Sequence, residues 1–141
     1  MTESKYDKYL VKVPLREVVV GSNGEGRTSL AMTCMSNELV PESKIYIQYH
    51  WVREVPELDP LLIAGHSHNF DEIILYIGAD PENPEYLGAE IDGFVGDERQ
   101  ITDKTSAIYI PKNVKHGLVK GWTRFEKPHI MMQVKLNKGN P

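Results

Sequence analysis

The chain has 141 residues, a length that favours one compact domain over two. Hydrophobic residues make up 40% of the chain and charged residues 26%, which is typical of a globular protein and argues against a disordered or fibrous one. The formal net charge is -4, and lysine and arginine are not clustered. A protein that binds nucleic acid is therefore not expected.

Cysteine usage and hydropathy predict the compartment. Cys34 is the only cysteine, so an intrachain disulfide is excluded and a reducing environment is expected. The first residues are polar and do not resemble a signal peptide. The longest apolar runs, such as Leu61–Gly65 and Ile73–Ile77, are far shorter than the roughly 18 residues that a membrane span needs. We expect a cytoplasmic protein that does not bind membranes.

Alternation of apolar and polar residues dominates the chain and predicts β-strands. A short helix is predicted only at Tyr6–Leu10, and loops are predicted at the glycine-rich run Gly21–Gly26 and at Asp80–Leu87, which contains two prolines. The predicted strand segments are Arg27–Asn37, Lys44–Glu54, Leu61–His68, Asp71–Ile77, Ala89–Val95, Ser106–Ile110, Gly117–Lys120 and His129–Leu136. Many short strands separated by turns indicate an all-β sandwich or barrel. We expect one domain over 1–141, with an N-terminal extension and loop at 1–26 and the barrel at 27–136.

Three potential metal ligands, His66, His68 and Glu72, are separated by even numbers of residues. On one extended strand they would point to the same face. Two imidazoles and a carboxylate that converge can bind a divalent first-row metal and leave positions open for substrate. His116, which follows the segment Ser106–Ile110, is the best candidate for a fourth ligand. The alternative is that these histidines lie in exposed loops and bind nothing.

Two segments resemble the sequence motifs of the cupin superfamily, in particular its small single-domain members with a cupin 2-like conserved barrel. They are GHSHNFDEIILYIG at 65–78 and IYIPKNVKHG at 108–117. The resemblance implies an antiparallel jelly-roll (cupin) β-barrel whose metal ligands are His66, His68, Glu72 and His116. The chain departs from the family pattern at a few positions; for example, Asn113 stands where a turn glycine is usual.

The candidate ligands imply one divalent transition metal: Fe, Mn, Ni or Zn. Three neutral imidazoles and one carboxylate around such an ion leave a net charge near +1, which favours an anionic or oxygen-chelating organic substrate. The resemblance allows a dioxygenase, an isomerase or a decarboxylase. The alternatives are a cupin that binds or senses a small molecule without turnover, and a jelly roll whose histidines are incidental.

Three further residues are candidates for catalytic roles. His50 shares one strand face with Tyr46 and Gln48, and His129 shares one with Met131 and Gln133. Either histidine could act as a base that orients substrate or as a hydrogen-bond partner of a ligand histidine. The alternative is an ordinary strand histidine with structural hydrogen bonds. Tyr76 is placed on the side of Glu72 if the strand between them is regular.

The opposite face of the segment Asp71–Ile77 predicts an interface. Ile73, Leu75 and Ile77 alternate with Glu72 and therefore face away from the proposed site. An apolar outer face must be covered by a second sheet or by a partner. We expect a homodimer that binds a small-molecule ligand.

Overall fold

The computed structural model describes residues 5–19, 29–57 and 63–137. This part of the chain contains one turn of 3-10 helix at Asp7–Tyr9 and two helical residues at 63–64, and is otherwise built from β-strands and their connections. The strands are β1 (Leu15–Val19), β2 (Ser29–Met35), β3 (Ile45–Val52), β4 (Asp71–Gly78), β5 (Tyr86–Val95), β6 (Glu98–Lys104), β7 (Ser106–Ile110), β8 (His116–Phe125) and β9 (His129–Leu136).

The strands form two antiparallel sheets, which confirms the predicted all-β class. The larger sheet has six strands in the order β1-β2-β3-β9-β4-β7, and the smaller one has three in the order β6-β5-β8. Strands that neighbour in space are often distant in sequence, as expected for a jelly roll. Tyr76 of the larger sheet packs with residues of the smaller sheet in the buried core, which comprises Tyr76, Leu87, Ala89, Ile91 and Leu118.

Strand β4 alternates regularly between the interior and the outer face of the larger sheet. Its pairings with β7 and β9 run without a register shift from Glu72 to Tyr76. Glu72, Ile74 and Tyr76 therefore point to the interior, whereas Ile73 and Leu75 point outward. The predicted parity is confirmed, and Tyr76 does lie on the same side as Glu72.

The predicted strand Leu61–His68 is wrong for the residues that the structure describes. Gly65 has a positive φ of 86°, a conformation that interrupts a strand. His66 forms only an isolated bridge, with His116. Leu61 and Leu62 lie outside the described residues.

Two strands lie where the sequence predicted none. β6 is polar and mostly exposed, so it lacks the apolar alternation that marks a half-buried strand. β1 lies within the segment expected to be an extension and pairs with β2 at the end of the larger sheet. The glycine-rich segment Gly21–Gly26 lies outside the described residues. Strand β8 runs from His116 to Phe125, longer than the predicted Gly117–Lys120.

The predicted helix at Tyr6–Leu10 is reduced to the single turn Asp7–Tyr9. Both Lys8 and Tyr9 contact the carboxylate of Glu42, at 2.9 and 2.6 Å. No helix among the described residues is long and apolar enough to cross a membrane.

Candidate metal centre

Three of the predicted ligands converge at one end of the interior. One ring nitrogen of each of His66, His68 and His116 lies within 4.8 Å of the others. The ring centroids are 4.4 Å apart for His66 and His116 and 4.7 Å apart for His66 and His68. Two nitrogens bonded to one ion lie at most about 4 Å apart, since each metal–nitrogen bond is about 2.0–2.1 Å. A bound ion would draw the rings slightly inward.

Backbone hydrogen bonds hold the two segments that carry these histidines together. His66 and His116 exchange N–H···O bonds of 3.0 and 2.9 Å, and the amide of Asn113 donates to the carbonyl of His68 at 2.6 Å. Asn113 has a φ of 66°, so an asparagine occupies the left-handed position at which the cupin motif usually has glycine. The carboxylate of Asp71 accepts from the amide of Lys112 at 2.8 Å and anchors the same turn.

The sequence argument that placed His66, His68 and Glu72 on one strand is therefore wrong. His66 and His68 do not share a strand with Glu72, because they precede β4 in a non-strand segment. They reach the site because the bridge to His116 holds that segment against the start of β8. Glu72 reaches it by the alternation of β4.

The hydrogen-bonding pattern of the His116 ring suits a metal ligand. Its Nδ1 lies 2.9 Å from the carbonyl of Val114 and donates to it in the neutral ring, so Nε2 carries the lone pair. This buried Nε2 has no hydrogen-bond partner of good geometry, and the nearest carboxylate oxygen, Glu72 Oε1, lies 3.5 Å away. A buried lone pair that faces two further imidazoles is what coordination to a cation would satisfy.

Charges around the site keep the carboxylate ionised. Burial alone raises the pKa of Glu72, but the contact with His116 and the nearby Lys135 outweigh it, so the pKa lies below its usual value. Burial lowers the pKa of His68, which favours its neutral form. For His116 burial also lowers the pKa, but Glu72 and the Val114 carbonyl outweigh it and raise the pKa. Imidazole and carboxylate donors of this kind fit Fe, Mn, Ni and Zn.

The histidines open into a cavity of about 1260 Å³ between the two sheets. Gln48 of β3 and Gln133 of β9 are register partners and line it together. The face of β3 that carries Tyr46, Gln48 and His50 therefore points inward. The face of β9 that carries Met131 and Gln133 does so too. The apolar part of the wall includes Ile74, Ile91, Leu118 and Met131.

Two of the three catalytic candidates line this cavity. Burial, followed by the proximity of His129, lowers the pKa of His50, so its imidazole is neutral near pH 7. Burial, with a smaller effect of Glu72, raises the pKa of Tyr76 to about 12, so its hydroxyl keeps its proton. His50 can accept a proton, and Tyr76 can donate a hydrogen bond.

The third candidate, His129, fits the alternative of a structural histidine. It is 0% exposed and is not among the cavity-lining residues that the structure describes. Its Nε2 accepts a hydrogen bond from the indole N–H of Trp122 at 3.1 Å, and its Nδ1 lies 3.3 Å from the carbonyl of Lys127. With both nitrogens engaged, the ring has no lone pair available for a substrate.

Sequence reasoning missed three residues around the site. Lys135 lines the cavity, Phe70 stacks on His68 with ring centroids 4.7 Å apart, and Asp71 anchors the turn before His116. For Lys135 a signal was present, because it continues the alternation of His129, Met131 and Gln133. The roles of Phe70 and Asp71 depend on contacts across the fold.

Comparisons with known proteins identify the fold. No protein-family model matches the chain, and no curated protein matches it. Among solved structures, a cupin 2 conserved barrel domain protein from Rhodopseudomonas palustris has a TM-score of 0.55 at 9% identity, covering 91% of this chain and 74% of its own. An RmlC-like cupin from Shewanella frigidimarina has a TM-score of 0.51 at 12% identity, covering 86% and 84%.

A third structure, described as FeII HppE, has a TM-score of 0.51 at 12% identity and covers 86% of this chain and 56% of its own. At these identities the likeness concerns the fold. This chain has the cupin fold, as the two motifs implied.

Replacing Trp122 by phenylalanine is expected to destabilise the protein. The change removes the N–H that donates to the fully buried His129 and leaves a buried acceptor without its partner, so the free energy of unfolding should fall by about 1–3 kcal/mol. Urea denaturation would measure it. Trp51→Phe is the matched control, because Trp51 is 42% exposed. An equal loss in both variants would contradict a role of the hydrogen bond.

Proposed function

We propose that this protein is a metal-dependent cupin enzyme that acts on a small anionic or oxygen-chelating organic substrate. The observation that carries the proposal is the convergence of three imidazole nitrogens within 4.8 Å, beside the buried, ionised carboxylate of Glu72. His66, His68, Glu72 and His116 are the proposed ligands of one divalent ion. Fe, Mn, Ni and Zn all suit them, and the iron(II) protein of the same fold makes iron the first metal to test.

A divalent ion held there would polarise an oxygen of the substrate or lower the pKa of a bound water. The surrounding residues of the chain support such chemistry in different ways. The neutral imidazole of His50 can take a proton from the substrate, and the Tyr76 hydroxyl can hydrogen-bond to a developing negative charge. Apolar side chains in the cavity wall lower the local polarity and so strengthen both interactions.

The charge of the site favours an anion. Glu72 cancels one of the two positive charges of the ion, and the imidazoles are neutral ligands, so a single positive charge remains in a cavity that is partly apolar. An oxyanion of the substrate would neutralise it. Dioxygenase, isomerase and decarboxylase chemistry all begin from such a complex, and this proposal leaves the choice among them to the turnover experiment below.

The metal site is tested by elemental analysis of untagged protein purified without chelator. We expect about one Fe, Mn, Ni or Zn per wild-type chain and loss of that metal in His66→Ala and in His116→Ala, since each variant removes one of the proposed ligands. His50→Ala is the control and should keep its metal, because His50 lies outside the cluster. Full metal in both ligand variants, or no uptake by the wild type on reconstitution, would refute the site.

Enzymatic activity is tested with a panel of small organic acids, followed by oxygen uptake and by mass spectrometry. Turnover by the metal-loaded wild type that is lost in His116→Ala is the result expected of an enzyme. Thermal stabilisation by a panel member without turnover would instead support the second candidate, a cupin that senses or carries a small ligand.

We also propose that the protein forms a homodimer through the outer face of its larger sheet. Ile73, Leu75 and Ile77 of β4 lie beside Val134, Met132 and Ile130 of β9 on this face, and β3 continues it with Ile47, Tyr49 and Trp51. None of these side chains is charged, so two copies can meet about a twofold axis without placing like charges opposite each other.

We propose in addition that the protein is cytoplasmic, because a single cysteine is typical of proteins in a reducing compartment.

The dimer predicts a twofold mass for the wild type in size-exclusion chromatography with light scattering. Leu75→Glu places a charge at the centre of the outer face and should give monomers. Val119→Glu, at an exposed position of the smaller sheet, is the matched control and should stay dimeric. A monomeric wild type, or a dimeric Leu75→Glu, would refute this interface.

A further inference from the structure

Apolar side chains on the inner face of the larger sheet remain partly exposed. Ile74 points inward between Glu72 and Tyr76, and Ile108 of β7 is its register partner. Met131 of β9 is the register partner of Tyr76. Ile74, Ile108 and Met131 are only partly buried, and all three line the cavity. Close packing would bury side chains that point to the interior, so it is the cavity that exposes them.

The smaller sheet adds apolar side chains to the cavity wall. Leu118 follows His116 along β8, and Trp122 of the same strand is the register partner of Ile91. Leu118, Trp122 and Ile91 all line the cavity. Leu118 and Ile91 are buried, whereas Trp122 is partly buried like Ile74. Beyond the histidines, the cavity therefore has apolar side chains from both sheets.

A pair of aromatic rings closes this apolar part of the cavity at the end away from the histidines. Tyr76 of β4 and Trp122 of β8 meet edge to face, with ring centroids 6.3 Å apart. Tyr76 packs with Leu87 and Ala89 in the buried core. Glu72 and Tyr76 are four positions apart on β4, so at about 3.3 Å per residue the apolar part is about 13 Å long.

Charged side chains lie at two places in the cavity wall. Glu72 and Lys135 are register partners and accompany the histidines at the metal centre. The remaining charged residues of the described wall are exposed and so lie where the cavity meets solvent. They are Arg16, Arg53, Glu54, Glu57 and Arg99. Uncharged polar side chains also line the cavity, among them Gln48, His50 and Gln133 of β3 and β9.

The cavity is much larger than a small acid. Its volume of about 1260 Å³ would hold about 40 water molecules at about 30 Å³ each. An acid of about two or three carbons at the metal centre would leave most of this space to water, in contact with partly buried apolar side chains. Ligand sites instead bury most of the ligand surface against largely apolar walls. An apolar tail on the ligand would displace that water, which is favourable.

We propose that the protein binds a medium-chain carboxylic acid, whose carboxylate faces the metal centre and whose hydrocarbon tail lies against Ile74, Met131 and Trp122. This inference rests on the proposed function and names its substrate class. The tail would make the site selective for longer acids over shorter ones, since each methylene removed from water adds to the affinity.

The test is calorimetric titration of metal-loaded protein with the straight-chain acids acetate, butanoate, hexanoate and octanoate. Each step adds two methylenes and should lower Kd at least about fivefold, because two fully buried methylenes are worth about fifteenfold. Ile74→Thr and Met131→Gln each place a polar group against the tail. Each should weaken octanoate binding about fivefold or more and leave acetate binding unchanged.

Matched variants make the same changes away from the cavity. Ile45→Thr alters an exposed isoleucine, and Met35→Gln alters a methionine of β2 that is not among the described residues of the cavity wall. Both should bind the four acids like the wild type. Elemental analysis reports the metal content of each variant, and circular dichroism checks its fold. If one of the two cavity variants is unfolded, the other decides together with the wild-type series.

Three results would overturn the proposal: wild-type affinity that does not rise with chain length, no binding of any of the four acids, or a rise that both cavity variants keep in full. Failure of the wild type to take up metal would refute the proposed function instead. The same titrations on metal-free protein then decide the tail site, since a rise that the cavity variants reduce supports it and a flat series refutes it.

Discussion

The site depends on the pair of backbone hydrogen bonds between His66 and His116. His116 begins β8 of the smaller sheet, and His66 lies in the segment that leads into β4 of the larger one. The bridge therefore joins the two sheets at one end of the sandwich, where it also brings the imidazoles together. Since backbone groups make the link, the imidazole side chains themselves are not part of it. Two further hydrogen bonds extend this connection. The amide of Asn113 donates to the carbonyl of His68, and the amide of Lys112 donates to the carboxylate of Asp71.

The polarity of the cavity wall changes with distance from the histidines. The imidazoles, Glu72 and Lys135 form a charged region, whereas Ile74 and Leu118 contribute to an apolar wall. His50 and Tyr76 place one neutral base and one protonated hydroxyl along the same interior. A wall of low polarity strengthens electrostatic interactions at the charged end, so few polar groups suffice to orient a small ligand. His129, although near in sequence to Met131, belongs to the hydrogen-bonded core with Trp122.

Many of the strands, and the side of the strand on which a residue lies, were predictable from local sequence patterns. Alternation along β4 placed Glu72 and Tyr76 on one side, because a strand paired on both edges keeps a period of two. The same logic failed for Leu61–His68: even spacing also occurs in a segment that is not a strand, and the positive φ of Gly65 breaks the extension. β6 was missed because an exposed strand needs no apolar face. His66, His68 and His116 do lie close together, but the strand argument that placed His66 and His68 beside Glu72 does not apply to them.

The sequence by itself determined the fold class and the set of residues able to bind a metal, since strand alternation, turn residues and donor chemistry are all local properties. Tertiary structure alone decided which groups meet. His50 lies on the cavity wall, whereas His129 accepts a hydrogen bond from the indole N–H of Trp122. From the sequence, both were simply histidines on predicted strands. It also brought Lys135 between Tyr46 and Glu72. Such contacts follow from the order and register of strands, which no short segment encodes.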